Sequence, residues 1–177
     1  MKKVIALLRG INVGGHKKIP MAELRDLLSV NDFNEVTTYI QSGNVLFYTD
    51  QKDLKLVSLE LQIIIKDHFG FEVPVIIKTP EEIKLILENF PFENEKLEKS
   101  YFTILEDVPD PEIVEELSKI KYENEEFQFV GQCLYYFGEA GMGKAKFNHN
   151  LFERKLKMAM TTRNYRTMMK LLSLSEE

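Results

Sequence analysis

The stretch from Arg9 to Lys17, RGINVGGHK, sets three glycines among an arginine, an asparagine, a histidine and a lysine, a combination suited to holding an anion. Glycine lets successive backbone N–H groups turn towards a ligand, and a helix starting just downstream adds partial positive charge. Arg9, Asn12 and Lys17 supply side-chain donors, and the His16 imidazole has the chemistry of a proton donor or acceptor. Gly14 and Gly15 are the positions where main-chain N–H groups would cradle the ligand. The same residues also suit a plain loop whose polar side chains satisfy their own backbone. A second polar group, Gln41, Ser42 and Asn44, surrounds Gly43 in a turn between two β-branched and aromatic runs.

Other patterns are weaker. Gly138 to Lys144 fits G-x-x-x-x-G-K, but Ala145 stands where a phosphate-binding loop needs a hydroxyl for magnesium. Ser42 as a nucleophile would need a base and an orienting partner; His16 could serve as the first, and no third member is evident. Cys133 reads as a small core residue, and a single cysteine excludes an intrachain disulfide. Histidines at 16, 68 and 149 have no metal-ligand spacing, so no metal and no cofactor is expected.

The elements that must position these residues follow from periodicity. Residues 3–9 are an apolar, β-branched run ending at glycine, a buried strand. Pro20 to Leu28 is a helix with proline at its start. EVTTYIQ (35–41) and NVLFYTD (44–50) form a hairpin across Ser42-Gly43. Asp53 to His68 is a helix ended by Gly70, and VPVIIKT (73–79) is a strand. The order βαββαβ predicts a ferredoxin-like unit over residues 1–79, whose 4-1-3-2 strand order gathers the end of the first strand, the hairpin turn and the loop after the second helix at one end of the sheet. Residues 80–99 read as a linking helix and loop. The pattern then restarts over 100–177: strand 100–106, helix 111–120, strands 126–130 and 133–137, helix 148–160. No final strand is recognisable, and 163–174 reads as an extra helix. The fold class is α+β, a tandem of two ferredoxin-like units with the second altered at its C-terminal end.

With 177 residues, 44% of them hydrophobic, the chain can build a substantial core. It has no apolar run of about 18 residues, and its opening apolar stretch is too short for a signal peptide, which predicts a cytoplasmic protein with no membrane partner. The net charge of −5 is unevenly placed. Residues 93–126 hold twelve acidic and four basic residues, whereas 141–170 hold eight basic and one acidic. Lys144, Lys146, Lys155, Lys157, Arg163 and Arg166 form a candidate secondary basic surface. Aromatic residues in the later strands, among them Phe102 and Tyr135, suit either core packing or a stacking platform for single-stranded RNA.

The blocks ALLRGINVGGHKKIPMAELR, TYIQSGNVLF, FGFEVPVIIKT, Asn89-Phe-Pro-Phe92 and Thr162-Arg163-Asn164-Tyr165 resemble the signatures of the bacterial domain-of-unknown-function family numbered sixteen ninety-seven. The resemblance implies two tandem ferredoxin-like subdomains and no established activity. Ala145 departs from it where a hydroxyl residue is usual, and Tyr165 where tryptophan is usual. The leading functional expectation is a binder of a phosphate- or carboxylate-bearing small molecule through the Arg9–Lys17 loop and the Gln41–Asn44 turn. The alternatives are an enzyme using His16 as acid or base, a weak single-stranded nucleic-acid binder, and a dimerising interaction module.

Overall fold

The computed structural model describes residues 1–177, which divide into two compact units, Met1–Lys84 with Leu171–Glu177 and Leu85–Lys170. The first holds β1 (Lys2–Leu8), α1 (Met21–Val30), β2 (Asn34–Tyr39), β3 (Asn44–Thr49), α2 (Leu54–Phe69) and β4 (Val75–Lys78). Its four strands form one antiparallel sheet in the order β2-β3-β1-β4. Val4, Ala6 and Leu8 alternate onto one face of β1 and pack with Val45 and Phe47 against Leu24 and Leu28 of α1 and Val57, Leu61 and Ile65 of α2. Ile5 and Leu7, on the opposite face, are equally buried. That two-sided burial explains why β1 reads as a continuous apolar run rather than an alternating one.

Local chemistry sets the helix ends. Asp53 caps α2 by accepting from the Lys55 N–H, and Gly70 ends it with φ of +80°, a conformation glycine adopts without steric cost. α3 (Pro80–Glu88) opens with a reciprocal capping box: Thr79 Oγ1 accepts from the Glu82 N–H at 3.2 Å, and the Glu82 carboxylate accepts from the Thr79 N–H at 2.7 Å. A 3-10 turn at Asn94–Lys99 leads into the second unit's sheet.

That unit contains β5 (Tyr101–Leu105), α4 (Pro111–Ser118), β6 (Glu125–Val130), β7 (Cys133–Gly138), α5 (His149–Leu156) and β8 (Met160–Asn164), with antiparallel order β6-β7-β5-β8. β8 corrects the expectation of no final strand and of a helix over residues 148–160. The strand is MTTRN, too polar for an apolar period to reveal it, yet all five residues pair with β5. α5 stops at Leu156 because Lys157 turns left-handed, with φ of +55°. α6 (Tyr165–Glu176) follows directly.

The aromatic residues of this unit are interior. Phe102 and Tyr135 are 5.6 Å apart between ring centroids, Phe90 lies 6.1 Å from each, and the Tyr135 hydroxyl donates to the Ile86 carbonyl at 2.7 Å. Residues 86–90 therefore cover the face that a nucleic-acid stacking platform would leave open. On the other face Phe127, Phe147 and Phe152 form a second aromatic cluster with Leu134 and Tyr136. Cys133 is fully buried, as a core residue. No helix is long and apolar enough to cross a membrane.

Candidate functional site

The three segments expected at one end of the first sheet do meet. The Leu8 N–H donates to the Gly43 carbonyl at 2.8 Å and the Arg9 N–H to the Pro74 carbonyl at 3.0 Å, so the end of β1 is held between the hairpin turn and the loop after α2. Lys17 Nζ donates to the Glu72 carbonyl at 2.6 Å, tying the glycine loop to that same loop.

Asn12 is the centre of the arrangement. Its Nδ2 donates to the Ile19 carbonyl at 2.9 Å and to the Gln41 carbonyl at 2.8 Å, while its Oδ1 accepts from the Ile19 N–H at 2.9 Å. Its own N–H donates to the Lys17 carbonyl at 3.1 Å. The side chain is thus committed to the backbone, closing residues 12–19 as a loop. Gly10 just before that loop, and Asn12, Gly14, Gly15 and Lys17 within it, have positive φ, which explains the glycines directly: L residues with a Cβ rarely take this conformation.

In the hairpin turn Asn44 is completely buried, donating to the Tyr39 carbonyl and Ser42 Oγ, each at 3.0 Å. The turn runs over residues 40–43, with Ile40 at φ of +50° and Gly43 at +80°. A Cβ on Gly43 would lie 2.6 Å from Leu8 Cβ, so close approach as well as φ demands glycine here. Gln41 and His16 are exposed, Gly14, Gly15 and Lys17 also face solvent, and Arg9 and Ser42 are half-buried. The expected set therefore separates into Asn12, Asn44 and Lys17, whose side chains hold main-chain carbonyls, the exposed Gly14, Gly15, His16 and Gln41, and the half-buried Arg9 and Ser42. From Met1 to Ala22 the chain has five lysine and arginine residues and no aspartate or glutamate.

The secondary basic group is differently disposed. Arg163 is 6% exposed, inside β8, donating to Thr161 Oγ1 at 2.8 Å and the Thr162 carbonyl at 2.9 Å, and burial pulls its pKa down to about 10. It is not a surface residue: strand alternation turns it onto the same sheet face as Phe102 and Ile104. Lys155 donates to Glu116 at 2.8 Å and Lys146 to Glu123 at 3.3 Å, so the basic run is partly neutralised by the acidic one. Lys144, Lys157 and Arg166 are exposed.

Just after the Gly138–Lys144 loop the main chain holds a carboxylate of the protein itself. Glu125 accepts from the N–H groups of Lys146 and Phe147, at 2.5 and 3.0 Å, so a carboxylate holds the two successive amides that follow the loop. This contact joins residues 21 and 22 positions apart, and nothing in the local sequence announces it. His68 pairs with Glu23 at 2.8 Å, consistent with a structural role. No group of three or more His, Cys, Asp or Glu side chains could hold a metal ion.

The chain belongs to a family of proteins of unknown function, DUF1697, whose profile matches residues 1–135. The matched region includes the glycine loop, the hairpin turn and the loop after α2 that contacts them, and ends within β7. Among solved structures, the chain is similar to the conserved bacterial protein SP0830 from Streptococcus pneumoniae, at 25% identity and a TM-score of 0.80, over 100% of this chain and 99% of that one. No curated protein matches.

Proposed function

We propose that this chain is a cytoplasmic tandem of two ferredoxin-like units whose first unit binds a small phosphate- or carboxylate-bearing ligand at the Arg9–Lys17 loop and the Gln41–Asn44 turn. The ferredoxin-like reading is supported by element order and strand order, which repeat between the units. The observation that carries the binding site is the Asn12 staple: three side-chain hydrogen bonds fix the loop and join it to the turn. A fixed loop presents its donors without paying ordering entropy when a ligand arrives.

Asn12 and Asn44 are the supports. Arg9, His16, Lys17, Gln41 and Ser42, with the N–H groups of Gly14 and Gly15, are the ligand contacts. The absence of carboxylates over the first twenty-two residues favours an anion over a cation.

The test is calorimetric titration and thermal shift with inorganic phosphate, pyrophosphate and citrate. Arg9→Ala should keep the wild-type circular dichroism and weaken binding of whichever anion is captured by at least tenfold. Equal affinity in the variant, or no binding of any of the three anions, rejects the site.

A further inference from the structure

The second unit has an open strand edge with a groove beside it. β6 pairs with β7 alone, in unbroken register over all six of its residues. The other edges are shorter or irregular: β2 shifts register between Asn34 and Thr37, β4 has four residues and β8 has five. A groove of about 450 Å³ runs along β6, and the consecutive residues Glu125 to Gln128 all line it. Consecutive residues point to opposite faces of a strand, so a groove that touches all four opens on the strand's lateral, hydrogen-bonding side. Phe92 and Glu93 border it on one face and Tyr122 on the other, and Phe92, Tyr122 and Phe127 remain only partly buried.

Charge selects the occupant. Glu93 and Glu126 share a single ammonium, Lys96 Nζ, at 2.7 and 2.6 Å, and Lys121 and Glu125 also line the groove, so three carboxylates against two ammoniums leave one negative charge in excess. The surrounding segment, residues 93–126, carries eight more acidic than basic residues. Pairing β6 with β6 of a second copy would bring these acidic segments together, a like-charge opposition that disfavours self-association.

We propose that β6 accepts an extended basic peptide from a partner protein as a fifth strand of this sheet. Lysine or arginine at alternate positions would face Glu93 and Glu126, and the intervening apolar residues would face Tyr122 and Phe127. Main-chain hydrogen bonds supply affinity in such strand addition, and the alternating side chains supply selectivity.

The probe is a fluorescein-labelled, end-capped octapeptide of alternating lysine and valine, titrated against the full chain by fluorescence anisotropy, with contacts mapped by amide chemical shifts. Saturable binding is expected, with shifts concentrated in residues 91–93 and 125–130. The corresponding glutamate–valine peptide should not bind. N-methylation at either the valines or the lysines, whichever set turns its N–H groups to β6, should abolish binding, while the other set is tolerated. Glu93→Gln with Glu126→Gln should weaken affinity tenfold or more without changing the melting temperature. Equal binding of the acidic and basic peptides overturns the proposal, as does tolerance of both N-methylated forms. Shifts elsewhere, unchanged affinity in the double variant, or no binding at low salt overturn it equally. A concentration-dependent dimer that protects β6 amides from exchange would assign the edge to a second copy instead.

Discussion

The Asn12 side-chain amide donates to the Gln41 carbonyl at 2.8 Å, joining the loop after the first strand to a hairpin turn 29 residues later. The same side chain also satisfies both the N–H and the carbonyl of Ile19. Asn12→Ala leaves three main-chain groups without their partner, and a partly buried group so orphaned costs about 1–3 kcal/mol. The left-handed backbone at φ of +54° adds a further penalty, because asparagine tolerates that region better than alanine. Thermal melting should show a clear destabilisation. Asn12→Asp, which retains only the acceptor for the Ile19 N–H, should recover no more than part of it.

The glycines differ in what they tolerate. Gly14 has φ of +59° but open surroundings, a Cβ there lying 3.8 Å from the His16 ring. Gly43 has φ of +80° and would place a Cβ 2.6 Å from Leu8 Cβ and 2.9 Å from Ile11 Cδ1. Gly14→Ala should cost about 1 kcal/mol from backbone conformation alone. Gly43→Ala adds overpacking of about 1–3 kcal/mol to a similar backbone term. Chemical denaturation of the two variants side by side checks the ranking; equal loss would mean that the turn yields and Leu8 is not obstructed.

Much of the first unit was legible because its strands are apolar and its turns carry glycine. The meeting of the end of β1, the hairpin turn and the loop after α2 follows from strand order alone. Side-chain commitments did not follow. Asn12 and Asn44 have the composition of ligand donors, and only three-dimensional pairing reveals that main-chain carbonyls take their amides. β8 escaped for a different reason: Thr161, Thr162 and Arg163 carry no apolar alternation, and the strand is specified by pairing with β5. Arg163 looked like a surface cation for the same cause, since charge is visible in a sequence and burial is not.

Tyr136 and Gly138 are expected to be energetically coupled. The Tyr136 hydroxyl is buried near the Glu125 carboxylate but without a hydrogen bond of good geometry, and a Cβ on Gly138 would fall within 2.3 Å of it. Tyr136→Phe removes an unsatisfied polar atom and should be neutral or stabilising, by up to about 1 kcal/mol. Gly138→Ala should destabilise the wild type. In the Tyr136→Phe background its cost should shrink, because the nearest obstructing atom is gone, although the ring carbon at 3.0 Å remains. A double-mutant cycle by denaturant unfolding measures the difference. Additive effects would mean that the ring moves aside in Gly138→Ala.

The contact between Lys155 and Glu116 gives a pH dependence of defined sign. The hydrogen bond from Lys155, and then its charge, lower the Glu116 pKa from its ordinary 4.5. A carboxylate lowered in the folded state binds its proton more readily when unfolded, so the contact stabilises the protein above the ordinary value. That contribution is lost as pH falls through the lowered value. Lys155→Ala should therefore move the Glu116 pKa upwards, towards 4.5, in a carboxyl-carbon NMR titration. Its effect on melting should be visible near neutral pH, smaller at high salt because the pair is exposed, and absent once Glu116 is protonated in both states. An unmoved Glu116 titration would mean that the basic run on α5 does not neutralise the acidic run on α4, and that Lys155 remains free to meet an anionic partner.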